Sequence, residues 1–300
     1  MPLLVVGSIA LDSVETPHGK AEEVLGGSAT YFSYAASFFT SVRLVGVVGD
    51  DFPEAHRALL TRRGIDTSGL IVEAGGKTFR WRGRYKPDMN ERETLEVHLN
   101  VFGQFDPVLP ETFRKCPFVF LANGSPVLQR KVMDQVPDAT LVVADTMDLW
   151  IETERDALEE LLGRIDGLVM NDQEAKLLAE TENLVVAGQA IQEMGPRFVV
   201  IKKGEHGAMF FSDEETYVMP AYPTPDVVDP TGAGDSFAGG MMGYLASNGR
   251  ADPATLKRAM AYGVVTASYN VEDFSLKRLE GIQRDDIEDR MQTYRQMMSF

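Results

Sequence analysis

The stretch Asp229-Pro-Thr-Gly-Ala-Gly-Asp235 runs directly into Ser-Phe-Ala-Gly-Gly-Met-Met-Gly-Tyr-Leu-Ala246, and it organises the interpretation of the whole chain. Pro230 and the glycines at 232 and 234 interrupt regular structure, whereas apolar residues recur at helical spacing after Asp235. The pattern predicts a strand end, a glycine turn and then a helix whose first turn carries Asp235.

This turn has the properties of an anion site. A helix N-terminus presents unpaired N–H groups and the positive end of the helix dipole, and glycines let an anion approach that backbone closely. With Asp235 beside it to accept a proton, the layout predicts phosphoryl transfer. The alternative is that Asp235 only caps the helix, because Asp is a favoured cap residue. A dinucleotide fingerprint would need glycine where Phe237 stands, and a Walker loop would need Lys-Ser/Thr after Gly239.

Composition narrows the class of protein. The chain has 300 residues, is 44% hydrophobic and can bury a large core. Its net charge of -16, with no basic block, argues against nucleic acid and anionic membrane surfaces as partners. Cys116 is the single cysteine, which excludes a disulfide framework and favours a reducing cytoplasm. The first residues resemble neither a signal peptide nor an anchor, and no apolar stretch is long enough to span a bilayer.

Short apolar runs alternate with helical patterns along most of the chain. Leu3–Val6, Phe118–Leu121 and Phe198–Ile201 are typical of buried parallel strands. Gly207–Phe211 and Thr216–Met219 predict an antiparallel hairpin at the sheet edge. The alternation predicts an α/β fold in which a mostly parallel central sheet carries helices on both faces, within a single domain over residues 1–300.

Two segments differ from this pattern. Large and cationic residues alternate from Thr78 to Tyr85, which suits an exposed strand. We predict that residues 70–101, together with about 12–25, form a small β-sheet lid. An ordinary solvated sheet edge is the alternative.

Several polar groups follow directly after predicted strands or before predicted helices. Asp12 comes shortly after the first strand, Gly26-Gly27 precedes an apolar helix, and Asn171–Glu174 follows the strand Gly167–Met170. Ligands bind at the carboxyl ends of strands in open α/β sheets. We therefore expect these groups to meet the 229–235 turn at one edge. A carboxylate such as Glu174 can hold Mg²⁺ through water, although helix capping also explains it.

Taken together, these motifs resemble the ribokinase family, also called the PfkB family of sugar kinases, over essentially the full chain. The matching segments are Asp229–Asp235, Asn171–Glu174, Gly26-Gly27 and Ile201–Gly204 with Gly207. The resemblance implies a ribokinase-like fold and an ATP-dependent kinase.

The resemblance also implies roles for individual residues in the transfer itself. Asp235 would be the general base for the attacking hydroxyl, and the N–H groups of Gly232, Ala233 and Gly234 would stabilise the transferring phosphoryl group. Glu174 would organise Mg²⁺ through water. Asp229 and Thr231 match half of a site for a monovalent cation such as K⁺.

It further implies which residues bind the two substrates. The residues expected on the ATP side are Asn171, Glu174, Lys202, Gly204 and Gly207. The residues expected to bind the acceptor are Asp12, Gly26, Gly27, Tyr31 and Asn123. In this family the lid strands can pair, so a homodimer through the lid is an expectation as well.

The acceptor is less defined than the chemistry. Ribokinases proper resemble Gly-Gly-Lys-Gly-Ala-Asn after the first strand, but this chain reads Gly26-Gly-Ser-Ala-Thr-Tyr31, which argues against free ribose. Tyr31 with Phe79 or Trp81 could pack on a sugar or stack on a nucleobase, or Tyr31 could belong to the core. We expect a small sugar or polyol as acceptor, with a nucleoside as the alternative. A non-catalytic sugar or nucleotide sensor is a further alternative, and an NAD-dependent oxidoreductase would need a glycine fingerprint after Val6.

Overall fold

Strands and helices alternate through most of residues 1–299, the part of the chain that the computed structural model describes. The strands are β1 Leu3–Val6, β2 Ala10–Thr16, β3 Gly19–Gly26, β4 Val42–Gly49, β5 Asp66–Glu73, β6 Phe79–Tyr85, β7 Arg92–His98, β8 Phe118–Leu121, β9 Leu141–Asp145, β10 Gly167–Asn171, β11 Phe198–Lys202, β12 Ala208–Ser212 and β13 Thr216–Met219. The helices are α1 Ser28–Ala36, α2 Glu54–Arg62, α3 Pro126–Met133, α4 Asp148–Thr153, α5 Arg155–Leu162, α6 Asp172–Ala179, α7 Leu184–Glu193, α8 Ala233–Asn248, α9 Pro253–Asn270, α10 Lys277–Glu280 and α11 Arg284–Met297.

Nine strands form the main sheet in the order β13-β12-β11-β10-β9-β8-β1-β4-β5. The pairs from β11 to β5 are parallel, whereas β12 and β13 pair in antiparallel fashion at one edge. The predicted α/β fold, with its mostly parallel sheet and antiparallel edge hairpin, is therefore confirmed.

The core lies in two layers, one on each face of this sheet. Along β1, Leu3 and Val5 join one cluster while Leu4 and Val6 join the other, because successive side chains of a strand point to opposite faces. Helices α1, α8 and α9 cover the first face, and α3, α5, α6 and α7 cover the second. Burial on both faces explains why these strands are continuously apolar rather than alternating.

The strand order places a switch point beside β1. The chain passes from β1 to β4 and β5 on one side, then returns to β8 and continues through β9, β10 and β11 on the other. A crevice forms where connections diverge from the carboxyl ends of neighbouring strands, and ligands of open α/β sheets bind there. The segments that follow β1, β8, β9, β10 and β11 consequently converge on one edge.

A second, four-stranded sheet has the order β3-β2-β6-β7. Residues 12–25 lie within it or in its turn, as strands β2 and β3. The expected lid range of 70–101 needs correction, because β5 pairs with β4 as the parallel edge of the main sheet. Ile71 and Val72 of β5 are 39% and 48% exposed, because β5 is the edge strand of the main sheet. The lid strands from this region are β6 and β7.

One other expectation differs from the structure in detail. No strand leads into the 229–235 turn, which instead follows an irregular segment after β13. Helices α4 and α5 are separated at Glu154, whose φ of -133° and ψ of 36° break the helical path.

Helices α1 and α8 pack closely and begin at the same edge of the main sheet. A Cβ at Gly239 of α8 would lie 2.4 Å from the carbonyl oxygen of Phe32 in α1, so glycine permits this approach. The close crossing brings the first turn of α1 beside the first turn of α8. Over residues 1–299, no helix is both long and apolar enough to traverse a bilayer.

Candidate active site

The turn before α8 is shaped by two glycines. Gly232 precedes the helix with a left-handed φ of 76°, and a Cβ there would lie 2.3 Å from the ring of Tyr31. A Cβ at Gly234 would lie 2.9 Å from Nζ of Lys202. The turn is thus pressed between an aromatic ring and a cation, and any side chain at either glycine would displace one of them. The N–H of Ala233 donates to the Pro230 carbonyl at 3.1 Å.

Asp229 lies at the start of the same turn and hydrogen-bonds to its backbone. Its Oδ1 accepts a hydrogen bond from the Thr231 N–H at 2.9 Å, while Oδ2 is buried without a hydrogen-bond partner among the described residues. Asp229 is 1% exposed, and burial raises its pKa. An unpartnered buried carboxylate oxygen is costly unless a cation or proton accompanies it.

Asp235 occupies the first turn of α8, beside the glycines. The hydroxyl of Ser28, at the first residue of α1, donates to its Oδ1 at 2.5 Å. Burial raises the pKa of Asp235, and the charge of Lys202 and the Ser28 hydrogen bond oppose that rise. A carboxylate with one bonded oxygen, next to an N-terminal helix turn, can accept a proton while an anion binds beside it.

Asp12 faces the same crevice from β2. Its carboxylate packs against Gly26, where a Cβ would come within 1.9 Å of Oδ2, and the backbone of Gly27 hydrogen-bonds to it. Asp12 is only 4% exposed, and burial raises its pKa to about 7. The structure therefore brings Asp12, Gly26 and Gly27 together, as the sequence led us to expect.

The Asn171–Glu174 motif forms a capping box at the start of α6. Oδ1 of Asn171 accepts from the Glu174 N–H at 2.8 Å, and Oε2 of Glu174 accepts from the Asn171 N–H at 2.7 Å. These two hydrogen bonds are the helix capping that we named as the alternative explanation of this motif. Glu174 is 7% exposed, and burial, reinforced by Asp145, raises its pKa.

Asp145, at the end of β9, belongs to this group although we did not single it out from the sequence. It is 6% exposed, burial raises its pKa, and Lys202 lies near enough to oppose that shift. The signal was present, since Asp145 follows a buried strand as directly as the residues that we did select. Lys202, at the end of β11, keeps a raised pKa because Asp145, Glu174 and Asp235 surround it.

The turn predicted to lie on the nucleotide side follows β11. Gly204 has a φ of 53°, and Gly207, with a φ of 83°, lies so close to Met219 that a Cβ would meet its carbonyl oxygen at 2.0 Å. The tip of the small sheet reaches this turn, because Nδ2 of Asn90 donates to Oε1 of Glu205 at 3.0 Å. The lid thus spans from the acceptor side to the turn after β11.

The small sheet adds two residues that the sequence analysis missed. The Thr231 hydroxyl donates to the Tyr85 phenol oxygen at 3.4 Å, and Tyr85 is 7% exposed. Arg92 pairs with Tyr85 across β6 and β7, and its charge partly opposes the rise that burial causes in the pKa of Asp12 and Asp235. Neither residue belongs to a sequence motif, so only the folded lid reveals them.

The remaining acceptor-side candidates take different positions. Asn123, after β8, accepts from Nε1 of Trp150 at 2.9 Å, and its N–H donates to the Ser28 hydroxyl at 3.3 Å. The ring of Tyr31 is 1% exposed and lies under Gly232 in the main core, not on the open face of the crevice. Phe79 stacks on Phe102 at 5.7 Å.

Within residues 1–299, no group of three or more His, Cys, Asp or Glu side chains has an arrangement that could hold a metal ion by itself. Asp145 and Glu174 nevertheless provide buried carboxylates at one place. Mg²⁺ in phosphoryl-transfer sites uses one or two protein carboxylates and takes its other ligands from water and phosphate. The donor set therefore fits Mg²⁺ that arrives with a nucleotide.

Comparison of the sequence with known proteins finds related kinases. The model of the pfkB family carbohydrate kinases matches residues 129–278. The cytidine kinase of Thermococcus kodakarensis is 28% identical over 258 residues, which cover 83% of this chain and 90% of that protein. The nucleoside kinase of Methanothermobacter thermautotrophicus is 28% identical over 287 residues, covering 90% and 89%.

Solved structures show the same fold. A putative ribokinase II from E. coli, in complex with ATP and Mg²⁺, superposes with a TM-score of 0.78 at 21% identity, covering 97% of this chain and 99% of that one. The nucleoside kinase of Methanocaldococcus jannaschii gives 0.77 at 19% identity, covering 97% and 98%.

Proposed function

The chain belongs to the PfkB family of carbohydrate kinases, and we propose that it transfers the γ-phosphate of ATP to a hydroxyl of a nucleoside or small sugar. The single observation that carries this proposal is the position of Asp235. Its carboxylate lies in the first turn of α8, directly beside a glycine turn suited to an anion, and across the crevice from Asp12.

In this reaction Asp235 accepts the proton of the acceptor hydroxyl as that oxygen attacks the γ-phosphate. The N–H groups of Gly232 and Gly234 and the dipole of α8 stabilise the negative charge of the transferring group. The Ala233 N–H would join them only if its bond to Pro230 opened. Lys202, whose Nζ lies against Gly234, adds a positive charge at the same place.

ATP would bind with its phosphates between the turn before α8 and the segments after β9, β10 and β11. Glu174 and Asp145 would hold Mg²⁺, Glu174 through water, and the metal would offset phosphate charge. Asn171 positions Glu174 through the capping box. Gly204 and Gly207 shape the turn near which the nucleotide would lie.

The unpartnered Oδ2 of Asp229 supports a monovalent cation site, such as a K⁺ site, below the anion turn. Backbone carbonyls contribute oxygen ligands readily, and the Val271 carbonyl already accepts from the N–H groups of Val228 and Asp229 nearby. A cation there would neutralise Asp229 and strengthen the positive potential of the turn, together with Thr231.

Among acceptors, we rank nucleosides ahead of the sugars and polyols that the sequence alone favoured. Two relatives that align over most of the chain are named for nucleoside or cytidine phosphorylation. Phe102 lies beside Gly124 and stacks on Phe79, so aromatic side chains stand close to Asn123. Asp12, Gly26 and Gly27 would bind sugar hydroxyls, which both classes of acceptor present. Tyr31 would act beneath the turn as packing.

Location and assembly complete the proposal. The single free cysteine suits a reducing cytoplasm. Val97 on the outer strand of the lid is 47% exposed, which suits a homodimer that pairs through the lid.

The test is a screen of nucleosides, pentoses, hexoses and polyols with ATP, Mg²⁺ and K⁺, in which ADP release and the phosphorylated product are both measured. We expect turnover of at least one nucleoside, such as cytidine, adenosine or inosine. Turnover of sugars without nucleosides would reverse our ranking of acceptors. Binding of ATP or an acceptor without any transfer would instead favour a sensor on the kinase fold.

A further inference from the structure

We propose that Ser28 is a positioning residue for Asp235: its hydroxyl holds one oxygen of the carboxylate so that the other faces the acceptor. This inference rests on the proposed kinase function, in which Asp235 is the base. The contact between Ser28 and Asp235 joins two motifs that lie 207 positions apart in sequence, so neither motif alone predicts it.

The geometry of the contact is specific. The Ser28 hydroxyl donates to Oδ1 of Asp235 at 2.5 Å, and Ser28 is 7% exposed. Hydrogen bonds to an ionised carboxylate are short and about twice as strong as neutral ones. Because Oδ1 is engaged in this way, Oδ2 is left as the oxygen that can accept a proton from a substrate hydroxyl.

The Ser28 hydroxyl is not needed to cap its own helix. At the start of α1, the Ser28 N–H donates to the Ser8 hydroxyl at 3.1 Å, and the Ala29 N–H donates to the Ser8 carbonyl at 3.0 Å. Ser8 therefore satisfies two of the N–H groups that a helix N-terminus leaves unpaired. The hydroxyl of Ser28 is therefore available to hydrogen-bond to Asp235 in the neighbouring helix α8.

A second hydrogen bond holds the oxygen of the Ser28 hydroxyl. The backbone N–H of Asn123 donates to the Ser28 oxygen at 3.3 Å. A serine hydroxyl carries one proton and can both accept and donate. Its oxygen accepts from Asn123, which follows β8, and its proton remains available to donate to Asp235. The main sheet thereby orients the base through a relay of two hydrogen bonds.

The backbone holds Ser28 in place. Gly27, immediately before it, has a left-handed φ of 92°, and a Cβ there would lie 2.6 Å from the Ser8 carbonyl oxygen. The close packing of α1 on α8 at Gly239 fixes the distance between the two helices. Together these constraints hold the Ser28 hydroxyl within hydrogen-bonding distance of Asp235.

The charged surroundings of Asp235 make this hydrogen bond consequential. Asp235 interacts electrostatically with Asp12 from β2, Arg92 from β7, Asp145 from β9 and Lys202 from β11. Glu174 from α6 and Asp229 from the turn belong to the same cluster, because Glu174 acts on Lys202 and Asp229 acts on Asp12. Three of the four other carboxylates come from separate strands or helices, so Asp235 titrates in a crowded anionic site. A donor such as Ser28 favours the ionised form that a base requires.

The experiment compares Ser28→Ala, Ser28→Thr and Ser33→Ala with the unmodified chain. Ser33 is a matched control, because its hydroxyl is also buried in α1 but has no hydrogen-bond partner among the described residues. For Ser28→Ala we expect kcat to fall about 10- to 100-fold, the range for losing a hydrogen bond to a charged group. We also expect the acid limb of kcat/KM to move to higher pH, because the carboxylate loses a donor that favours ionisation.

Ser28→Thr keeps the hydroxyl and should restore both kcat and the acid limb, while Ser33→Ala should leave them unchanged. ATP affinity and the unfolding temperature of each variant, measured by calorimetry, exclude a folding defect. Wild-type kcat and an unshifted acid limb in Ser28→Ala would overturn the inference and leave the kinase function intact. A lower kcat with an unshifted limb would also overturn it, as a packing effect. Absence of transfer by the unmodified chain would instead refute the proposed function itself.

Discussion

The phenol oxygen of Tyr85 lies 3.4 Å from the hydroxyl of Thr231, so the small sheet directly touches the turn that we propose binds the phosphoryl group. Tyr85 belongs to β6, whereas Thr231 lies two residues beyond Asp229 and just before the glycines of the turn. A lid that contacts this turn can respond to what the turn binds. Asn90 at the lid tip contacts Glu205 on the nucleotide side, which adds a second link.

Replacement of Tyr85 by Phe tests the first of these links. Loss of a neutral hydrogen bond has a cost equivalent to about 2- to 10-fold in an equilibrium constant. Because Tyr85 contacts the turn through Thr231 and does not contact Asp235, we expect KM for the acceptor to rise about 2- to 10-fold, with a smaller change in kcat. Steady-state kinetics with the acceptor identified by screening measures both.

Tyr217→Phe is the matched control for this change. Its hydroxyl is buried without a partner among the described residues, and it belongs to the edge hairpin of the main sheet rather than to the small sheet. The control should retain the original KM. An equal rise in KM for both variants would contradict the role given to Tyr85.

Asp12 predicts a specific dependence of stability on pH. Its pKa is raised to about 7 by burial, so the folded state holds a proton that the unfolded chain loses near pH 4. Stability from this group is therefore present at low pH and is lost as pH rises through the interval from about 4 to 7. We expect Asp12→Asn to raise the unfolding temperature by several degrees at pH 8 and to have little effect near pH 4.

The same substitution should weaken acceptor binding, because Asn carries no charge to attract a substrate hydroxyl. Calorimetric unfolding from pH 4 to 8, compared between the variant and the original chain, measures the difference. A stability difference that is independent of pH would show that Asp12 does not titrate in this interval.

Asp229 predicts a dependence on monovalent cations. Its buried Oδ2 needs a positive partner, and a cation there would reinforce the turn that holds the phosphoryl group. We expect K⁺ to raise the initial rate at constant ionic strength, and Asp229→Asn to remove that activation. Rates measured in potassium and in tetramethylammonium chloride provide the comparison. Equal rates of the original chain in both salts would rule out the cation site.

Much of this site could be predicted because its residues stand next to elements whose boundaries are visible in sequence. Asp235 follows a glycine turn and opens a helix, and Glu174 stands three residues after a strand end. Short apolar strands gave the parallel sheet, and a parallel sheet gathers its carboxyl ends at one edge. Asp145 could have been predicted by the same reasoning, since it stands at the carboxyl end of β9.

Other features depend on tertiary packing and leave little trace along the chain. Ser28 meets Asp235 only because α1 and α8 cross closely, and Tyr85 reaches Thr231 only because the small sheet packs beside the turn. The end of the edge strand β5 falls within the range 70–101 predicted for the lid, whereas its pairing with β4 is a property of the folded sheet. Tyr31 has an aromatic ring suited to stacking, but its packing under Gly232 decides its place.

The most direct test of the account is the activity of Asp235→Asn with the acceptor identified by screening. Asparagine has nearly the same shape as aspartate and can still hydrogen-bond to Ser28, but it cannot take the proton from the substrate hydroxyl. We predict that kcat falls by about 100-fold or more, the contribution expected of a general base, while calorimetry shows unchanged ATP affinity. Turnover by Asp235→Asn at the rate of the original chain would contradict the assignment of Asp235 as the base.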